Sequence, residues 1–155
     1  MIRLATPNDK AALMDLAGSV ELFEPDELAT VDDMLTDYFE GSDEHFWLAD
    51  EEDQTIVGAA YCVPERMTSG TWNLLFIGIH PTFQGQGRGS AIVSHVEQLL
   101  TEKGAHQLLI ETLASFEQTR SFYQKIGYQE EAIIRDFYGV GADKIVYRKS
   151  LLASK

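Results

Sequence analysis

Three glycines at alternate positions, Gly85, Gly87 and Gly89, follow the apolar run Ile77-Gly78-Ile79. They open a segment in which Ala91, Ile92, Val93, Val96, Leu99 and Leu100 recur with helical spacing. A helix that begins this way exposes its first backbone N–H groups, and the glycines remove side chains that would block approach to them. Oriented amides and the helix dipole together attract anions, so Gln84-Gly85-Gln86-Gly87-Arg88-Gly89-Ser90 is a candidate cradle for a phosphate or pyrophosphate. A dinucleotide fingerprint needs Gly-x-Gly-x-x-Gly, yet Ser90 stands at the third glycine position. The chain has no Gly-Lys-Ser/Thr, which a nucleotide triphosphatase loop requires. The spacing therefore points to another phosphorylated cofactor.

A second chemical signal is Glu111, which closes the apolar run Leu108-Leu109-Ile110. A carboxylate in such a setting needs a partner. Two readings stay open: a general base, or a structural ion pair with Arg120 or Arg135.

The order Gln84-x-x-Gly87-x-Gly89 resembles the Q/R-x-x-G-x-G/A motif of the GNAT superfamily of N-acetyltransferases, which holds the pyrophosphate of acetyl-CoA. Further along, Phe122-Tyr123-Gln124-Lys125-Ile126-Gly127-Tyr128 is similar to the superfamily's F-Y-x-K-x-G-F/Y signature. The resemblance implies acetyl transfer from a thioester to an amine; the lone Cys62, in a different strand from the motif residues and with no histidine signal beside it, favours direct attack in a ternary complex over a covalent cysteine intermediate. The resemblance implies that the amide of Ile77 polarises the acetyl carbonyl, that Gly78 and Ile79 lie along the coenzyme arm, and that Tyr123 supplies its hydroxyl to the departing sulfur. It also implies a single α/β domain over 1–155, with a mixed, mostly antiparallel sheet flanked by helices and a splayed central strand pair. Two departures stand out. Asn73 occupies the central-strand position where some members carry a glutamate, and Phe116 stands where many carry an asparagine. The rival reading is a non-catalytic acyl-CoA-binding or interaction module.

The elements that must position these groups alternate along the chain. Strands are expected at Ile2–Ala5, His45–Asp50, Thr55–Val63, Trp72–Ile79, Gln107–Leu113, Tyr128–Phe137 and Lys144–Lys149. Helices are expected after the cap Thr6-Pro7-Asn8-Asp9, from Pro25 to Glu40, through the glycine loop to Lys103, and from Phe116 to Ile126. Glu51-Glu52-Asp53-Gln54 reads as an acidic turn, and Trp72–Ile79 as a strand covered on both faces. The stretch from Ile134 to Lys144 is either an acceptor-lining segment, with Asp136 and Tyr138 as candidate substrate contacts, or a plain hairpin; Asn73 either orients a water or the substrate or pairs with backbone at a strand end.

A net charge of −13 over 155 residues excludes the basic patches that nucleic acid needs. It suits a cationic amine acceptor, whether a small amine, a protein lysine or an N-terminal amine, but plain solubility accounts for it more simply. No apolar run is long enough to span a membrane and no signal segment leads the chain, so the expectation is a cytoplasmic protein. Cys62 is the single cysteine and the four histidines are scattered, so no disulfide or metal site is expected. Exposed strand edges leave a homodimer open.

Overall fold

The computed structural model describes residues 1–20, 25–41 and 45–152. Its strands are β1 (Ile2–Leu4), β2 (Phe46–Glu52), β3 (Thr55–Pro64), β4 (Thr71–Ile79), β5 (Gln107–Leu113), β6 (Gln129–Gly139) and β7 (Ala142–Ser150). Its helices are α1 (Lys10–Ser19), α2 (Pro25–Phe39), α3 (Arg88–Glu102) and α4 (Glu117–Lys125). The seven strands hydrogen-bond in the order β1-β2-β3-β4-β5-β7-β6. β4 and β5 pair in parallel from Thr71 opposite Gln107 to Leu74 opposite Ile110, while β4 runs on to Ile79 and β5 to Leu113, as a splayed strand pair requires. The pairs β1–β2, β2–β3, β5–β7 and β6–β7 are antiparallel.

The chain folds as two compact units, Met1–Val63 with Phe76–Val96, and Pro64–Leu75 with Glu97–Lys155. In the first unit, Leu13, Leu16 and Ala17 of α1 and Val31 and Leu35 of α2 recur at three and four residues. They close over Trp47, Ala49, Ala59, Tyr61 and Phe76 of the sheet. The Trp47 and Tyr61 rings stack with centroids 4.7 Å apart. The β2–β3 hairpin is tighter than the acidic stretch suggests: Glu52 pairs with Thr55, and only Asp53 (φ 49°) and Gln54 (φ 67°) form the turn. Positive φ at both central residues matches the right-handed twist of the flanking strands.

In the second unit β5 alternates as a strand with one covered face. Leu108, Ile110 and Thr112 are buried, and Gln107, Leu109, Glu111 and Leu113 lie half-buried on the other side. The apolar run of β4 is not covered throughout, because Leu75 is 48% exposed. α4 buries Tyr123 against Tyr128 and Tyr147, and Gly127, at φ +97°, ends it in the left-handed conformation that glycine adopts freely.

An ion pair closes the turn before α1. Arg3 donates to both oxygens of Asp9, at 2.7 and 3.0 Å, and the Thr6 N–H donates to Asp9 Oδ2 at 2.7 Å. The Arg3 guanidinium holds the Asp9 carboxyl down at about 2. Its folded value lies below its unfolded one, so this stabilisation is complete above about pH 4 and is lost as the pH falls towards 2. Asp9→Asn should cost on the order of 2 kcal/mol at neutral pH. In denaturant unfolding the gap between variant and wild type should narrow below pH 4; a constant gap would show that the pair does not set it.

Candidate active site

The first unit carries the glycine loop. Gly85 (φ +77°) and Gly87 (φ +81°) take left-handed conformations, and a Cβ built on either would meet nothing within 4 Å. The glycines thus serve backbone geometry and leave the loop surface open. Gln84 Nε2 donates to the carbonyl of Ile79 at 3.0 Å and ties the loop to the end of β4. The Gly87 carbonyl accepts from the Ala91 N–H at 3.1 Å, which places the residues from Arg88 onward in the first helical turn. That turn holds no acidic side chain, and Gly89 and Ser90 lie inside it. An open loop feeding amides into a helix start fits a pyrophosphate.

Arg88 does not turn its charge to that loop. Its guanidinium donates to Asp50 Oδ2 at 3.0 Å and also to Glu52, both on β2. An anion held at this loop would meet main-chain N–H groups, and Arg88 pins the start of α3 to the sheet. Gly58 of β3 helps in the same way: a Cβ there would come within 2.9 Å of Ile79 Cδ1 and 3.0 Å of Ile92 Cδ1. Of the strand residues, Gly78 is buried, and Ile77 and Ile79 are half-buried.

The second unit carries a polar cluster built around one amide. Asn73 Nδ2 donates to Glu111 Oε1 at 2.8 Å and to Glu65 Oε1 at 3.0 Å. Lys144 Nζ lies 3.1 Å from Glu111 Oε2 and 3.6 Å from the centroid of the Phe137 ring. The ionic partner of Glu111 is thus a lysine of β7 rather than an arginine. Arg120 is engaged elsewhere, with the Tyr147 hydroxyl at 3.3 Å, the Ala114 carbonyl at 2.9 Å and Glu130. Both oxygens of Glu111 face donors.

Tyr123 is 3% exposed, and burial pushes its hydroxyl well above the ordinary phenol range, so it stays a neutral donor. Tyr138 is half-exposed; its hydroxyl is pushed up to about 12, first by burial and then by the charge of Glu111. Asp136 serves the β6–β7 hairpin: its N–H donates to Asp143 Oδ1 at 2.9 Å, and its own Oδ1 accepts from the Gly141 N–H at 2.8 Å. Cys62 is fully buried, and burial pushes its thiol far up, so it remains protonated.

The profile of the acetyltransferase (GNAT) family matches residues 12–128. The chain belongs to the GNAT acetyltransferase family. It is 33% identical over 87 residues to the [ribosomal protein bS18]-alanine N-acetyltransferase of Haemophilus influenzae, a match covering 56% of this chain and 57% of that protein. The chain thus spans about half the length of the curated relatives it matches. A GNAT-family structure from Desulfovibrio desulfuricans superposes with a TM-score of 0.93 at 27% identity, covering 98% of this chain and 99% of that one. YncA of Salmonella typhimurium, solved with its cofactor acetyl-CoA, superposes at 0.83 and 19% identity over 100% and 95% of the two chains, a likeness of fold alone.

Within this GNAT chain, sequence reasoning missed Asp50, Glu52, Gly58, Glu65 and the role of Lys144. Glu65 had one available signal, an acid eight residues before Asn73 on the approach to the same strand. The cradle can be tested through Gly87. Gly87→Ala and Gly87→Asp both place a Cβ at positive φ, at a cost of about 1 kcal/mol, and only the second adds charge. Calorimetry with coenzyme A should show the aspartate variant binding at least about tenfold more weakly than the alanine variant. Equal affinities would remove the loop from pyrophosphate binding.

Proposed function

We propose that this chain is an acetyl-CoA-dependent N-acetyltransferase that moves an acetyl group to a primary amine by direct attack within a ternary complex. The observation that carries this reading is Glu111, a carboxylate fixed through one oxygen by Asn73 and through the other by Lys144. Each carboxylate oxygen has two lone pairs, so the held group can still accept a proton from an incoming amine.

Bound acetyl-CoA supplies the acyl group as an activated thioester. The amides of Gly85, Gln86, Gly87, Arg88, Gly89 and Ser90 hold the pyrophosphate, and Gln84 keeps their loop against β4. The Ile77 amide polarises the acetyl carbonyl where negative charge develops, while Gly78 and Ile79 line the coenzyme arm with main chain. Glu111 takes the amine proton. Tyr123, buried and neutral, hydrogen-bonds the departing sulfur through its hydroxyl, and the proton that the amine nitrogen sheds as the adduct collapses ends on that sulfur, so Tyr123 keeps its own. Tyr138 and Asp136 border the acceptor side, and Asn73 acts through Glu111. A protonated, buried Cys62 supports direct transfer over an acyl-cysteine route. The acceptor is a primary amine, on a small molecule or on a protein; the alanine named for the Haemophilus influenzae relative belongs to that class.

Two substitutions test the assignment. Tyr123→Phe should lower kcat roughly a hundredfold and leave coenzyme A affinity within about twofold; wild-type turnover with chemistry rate-limiting would remove Tyr123 from the mechanism. Glu111→Gln should depress kcat/KM most at low and neutral pH, where the acceptor arrives as ammonium, and the defect should shrink at high pH as free amine accumulates. A flat, pH-independent loss with a large fall in melting temperature would make Glu111 structural.

A further inference from the structure

The amide of Asn73 offers two hydrogens and one oxygen, and the structure uses only the hydrogens. Nδ2 donates to Glu111 at 2.8 Å and to Glu65 at 3.0 Å. Asn73 is 2% exposed, and its Oδ1 is buried with no hydrogen-bond partner among the described residues. Burying a carbonyl oxygen without a partner is costly, so a competing orientation exists in which the amide turns over. Turned over, it would aim Oδ1 at Glu111, where an acceptor is compatible only with the protonated acid. Two charge-assisted bonds oppose that rotation, and one of them belongs to Glu65.

We propose that Glu65 is a positioning residue: through Asn73 it keeps an N–H, rather than a carbonyl oxygen, facing Glu111, and so keeps Glu111 ready to take the proton of the acceptor amine. The inference rests on the reading of Glu111 as the base. The two carboxylate oxygens that share the amide lie about 5 Å apart, as the fixed angle between its hydrogens requires. Glu65 therefore acts in two opposed ways. Its charge disfavours a second anion nearby, while its hold on Asn73 favours one. Among the described residues the other groups facing Glu111 are Lys144 from β7 and Tyr138 from β6; on β5 itself its same-face neighbours Leu109 and Leu113 are apolar.

A pair of variants separates the two effects. Glu65→Gln and Glu65→Met both remove the charge, but only glutamine keeps an oxygen to accept from Asn73. The Glu111 carboxyl carbon, assigned by its loss in Glu111→Gln, can be titrated by carbon-13 NMR in each protein without any turnover. Its midpoint should lie about one pH unit higher in Glu65→Met than in Glu65→Gln, a tenfold difference in proton affinity. The difference should vanish when Asn73→Ala is added to both, because no amide then remains to turn. The Asn73 side-chain NH₂ resonances should hold their wild-type positions in the glutamine variant and move in the methionine variant. If Glu65→Met does not fold, Glu65→Leu serves in its place.

Coincident midpoints in the two single variants, or a difference that survives Asn73→Ala, overturns the proposal. The acid limb of kcat/KM provides the separate check on Glu111. Midpoints that differ as expected while the limb stays put would leave Glu65 positioning a carboxylate that is not the base, which is the failure of the functional reading and not of this one.

Discussion

A helix start leaves backbone N–H groups without an intrahelical partner, and the first unit is arranged to leave those of α3 accessible. Gly85 and Gly87 take positive φ so that the loop can turn into the helix with no side chain over its surface. Gly58 gives up its side chain so that Ile79 and Ile92 can meet above it. Arg88, whose cation would be ill placed at a positive helix end, is matched with Asp50 and Glu52. Each of these features would be a defect elsewhere: mobile glycines, a strand without a side chain, a cation at the wrong helix terminus. Together they fix one helix and keep its first amides available to an anion.

The second unit solves a different problem by different means. It brings side chains together, and the half-buried carboxylate of Glu111 beside apolar strand residues meets a partner at each oxygen. Lys144 supplies the opposite charge and is itself held over the Phe137 ring. Asn73 supplies a neutral donor, which orients the carboxylate without adding another charge. Tyr123 lies in a wholly different setting, enclosed by Tyr128, Tyr147 and Phe122, and burial keeps its proton on. Glu111 and Tyr123 thus lie in different environments, one polar and paired, the other buried and aromatic.

Local chemistry in the sequence is legible where local rules decide. The limits of β5 and the glycine loop follow from periodicity, positive-φ glycine and spacing within a few residues. The stripe of α3 comes out narrower than expected, since Ile92, Val93, Val96 and Leu100 are buried and Ala91 is exposed. What escapes is long-range. The partners of Arg88 lie 38 and 36 residues away on β2, and Asn73 meets Glu111 across a separation of 38. Arginines near Glu111 in sequence look like its partners, but strand pairing decides otherwise: β7 lies beside β5 and brings Lys144 opposite Leu113, within reach of Glu111. The β2–β3 turn falls inside the expected stretch, but its narrowing to Asp53-Gln54 escapes, because neither residue is the glycine that usually announces positive φ.

The most direct test of the whole account is the release of free thiol from acetyl-CoA, followed with and without a panel of primary amines that includes small amines, polyamines and peptides with free amino termini. The account predicts release that depends on an added amine, saturates in both substrates and yields one acetylated amine for each thiol. Tight binding of coenzyme A with no amine-dependent release from any acceptor in the panel would contradict it and leave the chain a binding module.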